Sequence, residues 1–330
     1  MSEEADYWIG FDLGGTKMLA VVYDDEFKAI GKARKKTKGF EGKSAGLRRI
    51  NSVIEEALED AGVSAKQVKG LGIGCPGPLD LKKKTIRIAP NLGWENVAVG
   101  ESIEKEFKFP VTVANDVDAG VFGEYMFGAG KGHRSVAGIF PGTGVGGGFV
   151  YEGKLIRGSN CTCMEIGHVP VMQGGPRDGA GNRGSLESVA SRLSIAAAAS
   201  QAAYRGEAPA LLKDAGTDLS DIRSGALKNS VAKEDKAVIQ IIDDACDQLA
   251  IAVVTMVHLM APDVIVFGGG LIEAMGKHML PKIEKAASKR VLGSLKDVYK
   301  ICEAKLGDDA GVMGAAALAQ QDVLSTRQSG

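Results

Sequence analysis

The sequence predicts an α/β protein made of two related domains, and three observations predict it. The segment 9-IGFDLGGTKMLAVV-22 reads as two strands joined by a tight turn, and 137-AGIFPGTGVGGGFV-150 aligns with it without gaps. Gly14 falls on Gly142, Gly15 on Thr143 and Thr16 on Gly144. After the first turn the segments follow a β-β-β-α-β order, which suits a mixed sheet with a crossover helix. With 330 residues and an apolar fraction of 45%, the chain can bury one large or two medium cores, and two domains are expected.

The elements follow in order. Residues 29–37 read as a third antiparallel strand, and 46–63 place Leu47, Ile50, Val53, Ile54 and Leu58 at helical spacing, ending at Gly62. A buried strand, 69–75, runs into the rigid turn Pro76-Gly77-Pro78. The segment 88-IAPNLGW-94 precedes a helix at 99–107, a strand at 110–116 and a helix at 117–130 ended by Gly128 and Gly130. Beyond the second hairpin, 161–187 is a long polar loop rich in glycine, of the kind that carries function. Helices are expected at 188–204 and 234–260, with 205–232 between them as a peripheral insertion. The strand 263–269 enters Gly268-Gly269-Gly270 and a helix. The last helix, 307–321, has a small-residue face suited to close packing at a hinge between domains.

Charge is balanced, Lys+Arg 40 against Asp+Glu 41, which argues against nucleic acid or an anionic membrane as main partner. The basic runs 32–38 and 82–84 read as solvated strands and turns. The start of the chain is acidic and lacks a signal peptide, and 249–261 contains His258 and stops at Pro262, so it does not span a bilayer. Five cysteines, Cys75, Cys161, Cys163, Cys246 and Cys302, show no framework spacing, so a cytoplasmic, reducing setting is expected.

The turn 14–16 admits two readings. One is a plain Gly-Gly hairpin; the other is an anion cradle, with backbone N–H groups near phosphate, the Thr16 hydroxyl as donor and Asp12 as a carboxylate for a hydrated divalent cation. No helix follows at once, so neither a P-loop nor a Rossmann fingerprint fits. Asp116 also has two readings, a cap for the following helix or a ligand-facing carboxylate at the carboxyl end of a strand.

DLGGTK, PGTGVGGG, Asn-Leu-Gly-Trp, Asn-Asp and Glu-x-Gly-His together resemble the ROK family of sugar kinases and repressors, within the actin and sugar-kinase superfamily. The resemblance spans nearly the whole chain. It implies a two-domain actin-like, sugar-kinase (ribonuclease H-like) fold with a hinge and an interdomain active-site cleft, the small domain being 1–116 plus 312–330 and the large one 117–311. It implies ATP-dependent phosphorylation of the 6-hydroxyl of glucose or a closely related hexose, with Mg²⁺ as cofactor and Asp116 as catalytic base. Asp12, Gly14, Gly15, Thr16 and Lys17 would form the first phosphate segment, Gly142, Thr143 and Gly144 the second, and Gly268, Gly269 and Gly270 would border the adenosine. Asp12 would hold Mg²⁺ through water. Gly77, Asn91, Asn115, Glu165, His168 and Glu187 would bind the sugar. A homodimer or homotetramer is expected. Family repressors carry an N-terminal helix-turn-helix for which this chain leaves no room, so an enzyme is expected over a repressor or a non-catalytic sugar sensor. Fructokinase, mannokinase or N-acetylmannosamine kinase activity, or polyphosphate as donor, stays open.

One departure stands out. Most members read Cys-x-Cys-Gly-x-x-Gly-Cys-x-Glu after Glu-x-Gly-His and hold a structural zinc with three thiolates and the His. Here the frame is 178-DGAGNRGSLE-187, with Asp178, Ala180 and Ser185 at the cysteine positions. No structural zinc is expected, although Cys161 and Cys163 with His168 are an alternative ligand set.

Overall fold

The computed structural model describes residues 6–158 and 164–328. They fall into two compact units: the described residues of Met1–Gly132, Leu155–Cys163 and Asp308–Gly330, and those of His133–Lys154 and Met164–Gly307. The division falls after Gly132, and the packing of the helix that Asp116 opens explains why.

Unit 1 begins with β1 (Tyr7–Leu13), β2 (Lys17–Tyr23) and β3 (Ala29–Lys36), an antiparallel meander in which Leu13 pairs with Met18 across the turn 14–16. Helix α1 (Lys43–Ala61) buries Ile50, Val53, Ile54, Ala57 and Leu58, the expected stripe, and stops at Gly62 in the left-handed conformation. Strand β4 (Val68–Cys75) lies parallel to β1. The chain then forms a small antiparallel sheet, β5 (Leu79–Asp80), β6 (Thr85–Ala89) and β7 (Trp94–Val97), which the sequence did not announce because strands this short carry almost no periodicity. Helix α2 (Val99–Phe107), strand β8 (Val111–Asn115) and helix α3 (Asp116–Met126) follow. The main sheet has the order β3-β2-β1-β4-β8. Its core includes Phe11, Leu13, Met18, Ile50, Ile54 and Ile73, all fully buried.

The second unit repeats this plan. Strands β9 (Ser135–Pro141) and β10 (Val145–Tyr151) form the second hairpin, followed by β11 (Lys154–Leu155). The expected helix 188–204 is two helices, α4 (Leu186–Ala190) and α5 (Arg192–Tyr204), because Ser191 is extended and caps α5 by accepting from the Ser194 N–H. The region 205–232 forms α6 (Pro209–Ala215) and α7 (Ser224–Ala232), which bury Leu211 and Leu227 completely, as the link between them does Ile222. Helix α8 (Lys236–Met260), strand β12 (Val264–Phe267), helix α9 (Gly270–Ser288) and strand β13 (Lys300–Glu303) complete it. The sheet order β11-β10-β9-β12-β13 matches unit 1 strand for strand, with an antiparallel partner on one side of the central strand and a parallel one on the other.

Helix α10 (Ala310–Gln328) returns to unit 1. A Cβ on Gly10 would lie 1.9 Å from the Val312 carbonyl oxygen, and one on Gly72 1.7 Å from that of Ala315. A Cβ on Gly314 would meet the Ala119 carbonyl oxygen of α3 at 1.8 Å. The small-residue face of α10 therefore packs onto the β1/β4 sheet and α3 within unit 1, and α3 belongs to unit 1 for the same reason.

Candidate active site

Three strands of unit 1 bring its candidate residues together. Asp12 of β1 pairs with Gly74 of β4, which in turn pairs with Ala114 of β8, one residue before the Asn115-Asp116 pair. A Cβ on Gly74 would lie 3.5 Å from the Asp116 Cα, so the bare backbone there leaves room between the two carboxylates. Burial pushes the Asp116 carboxyl up to about 6, and the charge of Asp12 adds to it; hydrogen bonds from the Val117 and Asp116 backbone and from the Asn115 side chain oppose the rise. Asp12 is also pushed up to about 6, by burial first, with Lys17 opposing and Asp308 adding. Two carboxylates raised in this way at a strand end are candidates for a ligand-facing role.

The helix-cap question is resolved in favour of the neighbour. Asn115 is the cap, its Oδ1 accepting from the Val117 and Asp118 N–H groups at 2.9 and 3.2 Å. Asp116 is the first helical residue, and its carboxylate also accepts from the Val117 N–H at 2.9 Å. Asn115 thus keeps only its amide N–H groups for a ligand.

The first turn is held from outside its own hairpin. Buried Thr37, just past β3, donates its hydroxyl to the Gly14 carbonyl at 2.6 Å and its N–H to that of Thr16 at 2.9 Å. Gly15 faces Asn91, whose amide nitrogen lies 2.9 Å from where a Cβ would be. Asn91 is exposed on a single 3₁₀ turn, Pro90–Leu92, anchored by buried Leu92 and Trp94. Gly77 has φ +79° and stands where a Cβ would meet the Ile88 carbonyl oxygen at 2.1 Å, so only glycine fits. Lys17, read as a phosphate ligand, is engaged by Asp308 at 2.7 Å. Thr37 and Asp308 escaped the sequence reading. The only signal was an acidic pair, Asp308-Asp309, at the start of a helix.

In the second unit the turn 142–144 closes through the Gly142 N–H donating to the Gly144 carbonyl at 2.8 Å. Glu187 lies beneath it, one carboxylate oxygen accepting from the Val145 N–H at 3.0 Å and 2.2 Å from where a Cβ on Gly144 would be. Glu187, expected to face the sugar, therefore also supports this turn. Arg192 donates its N–H to the Gly142 carbonyl at 2.8 Å and its guanidinium to the Thr143 hydroxyl at 3.1 Å. Burial and the neighbouring charge of Arg223 press its pKa downward, so two cations gather by this turn. Reading 188–204 as one helix hid Arg192, since the break at Ser191 is what brings it to the turn. Glu165 is exposed, and His168 ends a 3₁₀ turn with its ring nitrogen Nδ1 2.9 Å from Asp178. Gly269, at φ +79°, caps α9, and Gly270 faces the start of α7 at Ser224. Further along α9 a cavity of about 410 Å³ opens among Lys228, Val231, Met275, Gly276 and Glu303. A larger groove of about 610 Å³ in unit 1 includes Lys69, Pro110 and Val111, at the amino ends of β4 and β8 and so away from Asp116. Cys161 and Cys163 lie outside the described residues.

The model of the ROK family matches residues 8–322. The chain belongs to the ROK family. Among ROK relatives, the glucokinase of Thermotoga maritima is 31% identical over 317 residues, covering 96% of this chain and 98% of that one. The xylose repressor of Caldicellulosiruptor bescii is 26% identical, covering 96% of this chain and 79% of the repressor. The crystal structure of a ROK glucokinase from Streptomyces griseus, in complex with glucose and AMPPNP, superposes with a TM-score of 0.82 at 30% identity, covering 96% and 99% of the two chains. The protein shares the two-domain sugar-kinase fold of that structure.

Proposed function

We propose that this chain is an ATP-dependent sugar kinase that phosphorylates the 6-hydroxyl of glucose or a closely related hexose. The observation that carries the reading is the pair of half-buried carboxylates Asp12 and Asp116, both raised to about 6, at the carboxyl ends of β1 and β8, beside the first glycine turn and Asn91.

Asp116 accepts the proton of the attacking hydroxyl as the oxygen becomes a better nucleophile, and its charge orients that hydroxyl beforehand. An acceptor held near 6 is ionised at neutral pH yet basic enough to take the proton late in the transfer. The amides of Asn91 and Asn115, with Glu165, His168 and Glu187, pair with the remaining hydroxyls of the sugar, where a missing partner costs more than a missing methylene. The turns 14–16 and 142–144 offer backbone N–H groups to phosphate, and Arg192 adds charge by the second. The cavity between α7 and α9 suits the adenosine in size. Asp12, a hard oxygen donor whose burial makes a nearby cation welcome, fits Mg²⁺ held through water. When bound, that ion neutralises charge on the transferring phosphate.

The relationship to a xylose repressor favours a second reading, a non-catalytic sugar sensor. A sensor has no need of a costly half-buried carboxylate pair. A coupled assay for ADP release with glucose, fructose, mannose and N-acetylmannosamine, each with ATP or polyphosphate, tests both. Glucose-dependent turnover is expected; no turnover with any of them would leave the sensor.

A further inference from the structure

We propose that Asp178 replaces a structural metal in this protein and acts as the positioning residue for His168 and, through Ser185, for the helix start that carries Glu187. This rests on the reading above, in which His168 and Glu187 face the sugar.

The geometry is that of a hub. One oxygen of Asp178 lies 2.9 Å from the His168 Nδ1 and accepts from the Ser185 hydroxyl at 2.7 Å and the Asn182 amide at 3.4 Å. The other accepts from the backbone N–H groups of Ala180 at 3.0 Å and Asn182 at 2.9 Å. The side chain is 0% exposed, so its charge is balanced by these donors alone. Ser185 is itself fully buried and caps α4, accepting from the Ser188 N–H at 3.3 Å. A single carboxylate thereby ties the imidazole, the turn 178–182 and the helix that bears Glu187.

The same atoms do not suit zinc. A closed tetrahedral site needs four nitrogen, sulfur or carboxylate donors. Ala180 has none, the Ser185 hydroxyl is spent as a donor to Asp178, and the Nδ1 of His168 is directed at the carboxylate. Among the described residues no three His, Cys, Asp or Glu side chains are placed to hold a metal. The electrostatics agree with a hub. Burial would raise the Asp178 carboxyl, but the bonds from Ser185, His168 and Asn182 hold it well below the usual range. Burial would lower the His168 imidazole, but the bond to Asp178 and the charges of Glu187, Asp178 and Glu165 bring it above its ordinary value.

The test combines elemental analysis of the purified full chain with Asp178→Asn, Asp178→Ala and Ser185→Ala variants. Steady-state constants are measured for glucose and ATP separately, and the His168 ring is titrated by NMR without sugar. Expected are no stoichiometric zinc, full wild-type activity after a chelator that spares Mg²⁺, and a glucose KM about tenfold higher in Asp178→Asn. The His168 midpoint should move down in the same variant. Ser185→Ala, which removes one bond only, keeps the test informative if the Asp178 variants fail to fold; it should raise the glucose KM in the same sense. One zinc per chain, or an unchanged glucose KM and His168 midpoint in a folded Asp178→Asn, would overturn the proposal. If wild type phosphorylates no hexose, the functional reading fails, while the His168 titration still reports on the hub.

Discussion

Replacing Asp116 by Asn should make the ligand-free protein more stable while removing its activity. Asp116 is raised from 3.8 to about 6 in the folded chain, about two units, and each unit is worth about 1.36 kcal/mol. The ionised carboxylate therefore costs the fold up to about 3 kcal/mol at neutral pH. Asn keeps an oxygen for the Val117 N–H, now bonded at 2.9 Å, and carries no charge against Asp12. Allowing for the loss of the Asn115 contact, a gain of about 2 kcal/mol at pH 8 is expected, a shift of roughly 4–8 °C in the melting of unit 1. The sign with pH follows from linkage. A carboxyl raised on folding contributes stability that is complete below its unfolded value of 3.8 and is lost as pH rises through about 6. Wild type should match the variant near pH 4, fall behind between about pH 4 and 6, and stay behind above. Thermal and urea melts of both proteins across that range, without sugar or nucleotide, make the measurement, and turnover should fall by about 10² or more. Equal stability at pH 8, or a gap that persists at pH 4, would refute the buried-charge argument; turnover within about threefold would refute the role of Asp116.

Three further outcomes follow from particular contacts. The kcat/KM for glucose should fall as pH drops through about 6, where Asp116 takes up a proton, and a profile flat down to pH 5 would be incompatible with it. Gly144→Ala places a methyl group 2.2 Å from a Glu187 carboxylate oxygen, so it should free that oxygen from the Val145 N–H and raise the ATP KM about tenfold at unchanged circular dichroism. Gly77→Ala meets both a φ of +79° and the Ile88 carbonyl oxygen at 2.1 Å; urea melts should register a loss of about 2–3 kcal/mol, and a loss under about 0.5 would show that the turn relaxes freely.

The duplicated hairpin was legible because a strand-turn-strand unit is a local pattern, and both copies form where the alignment puts them. Helix α2 falls on its expected residues 99–107 for the same reason, and α1 keeps its expected apolar stripe. What escaped the sequence is non-local or very short. The sheet β5-β6-β7 is built from strands of two, five and four residues, too brief for any period to emerge. Thr37 reaches the first turn from the end of β3, and Asp308 reaches Lys17 across 291 positions, so no window of sequence contains either pair. The small residues of α10 announced close packing, but a glycine does not name its neighbour; only the register of α10 on Gly10 and Gly72 does so.

The two turns also show how far a repeat can be carried. In the gap-free alignment Asp12 falls on Phe140, so the second copy keeps the backbone of the first and discards its carboxylate. In its place Phe140 sits against Gly268, its ring edge 3.2 Å from where a Cβ would be. Apolar packing has replaced charge at the equivalent strand end. The polar work around the second turn is instead done from outside the repeat, by Glu187 on α4 and Arg192 on α5. The first turn has its own external partners, Thr37 and Asn91, on different elements. The shared pattern thus repeats the hairpin backbone twice, while the polar side chains that meet each turn from outside, Thr37 and Asn91 at the first and Glu187 and Arg192 at the second, lie outside the repeated segments. A symmetric sequence motif therefore carries two differently furnished turns, with the Asp12 carboxylate and the Lys17–Asp308 ion pair by the first and Glu187 with Arg192 by the second.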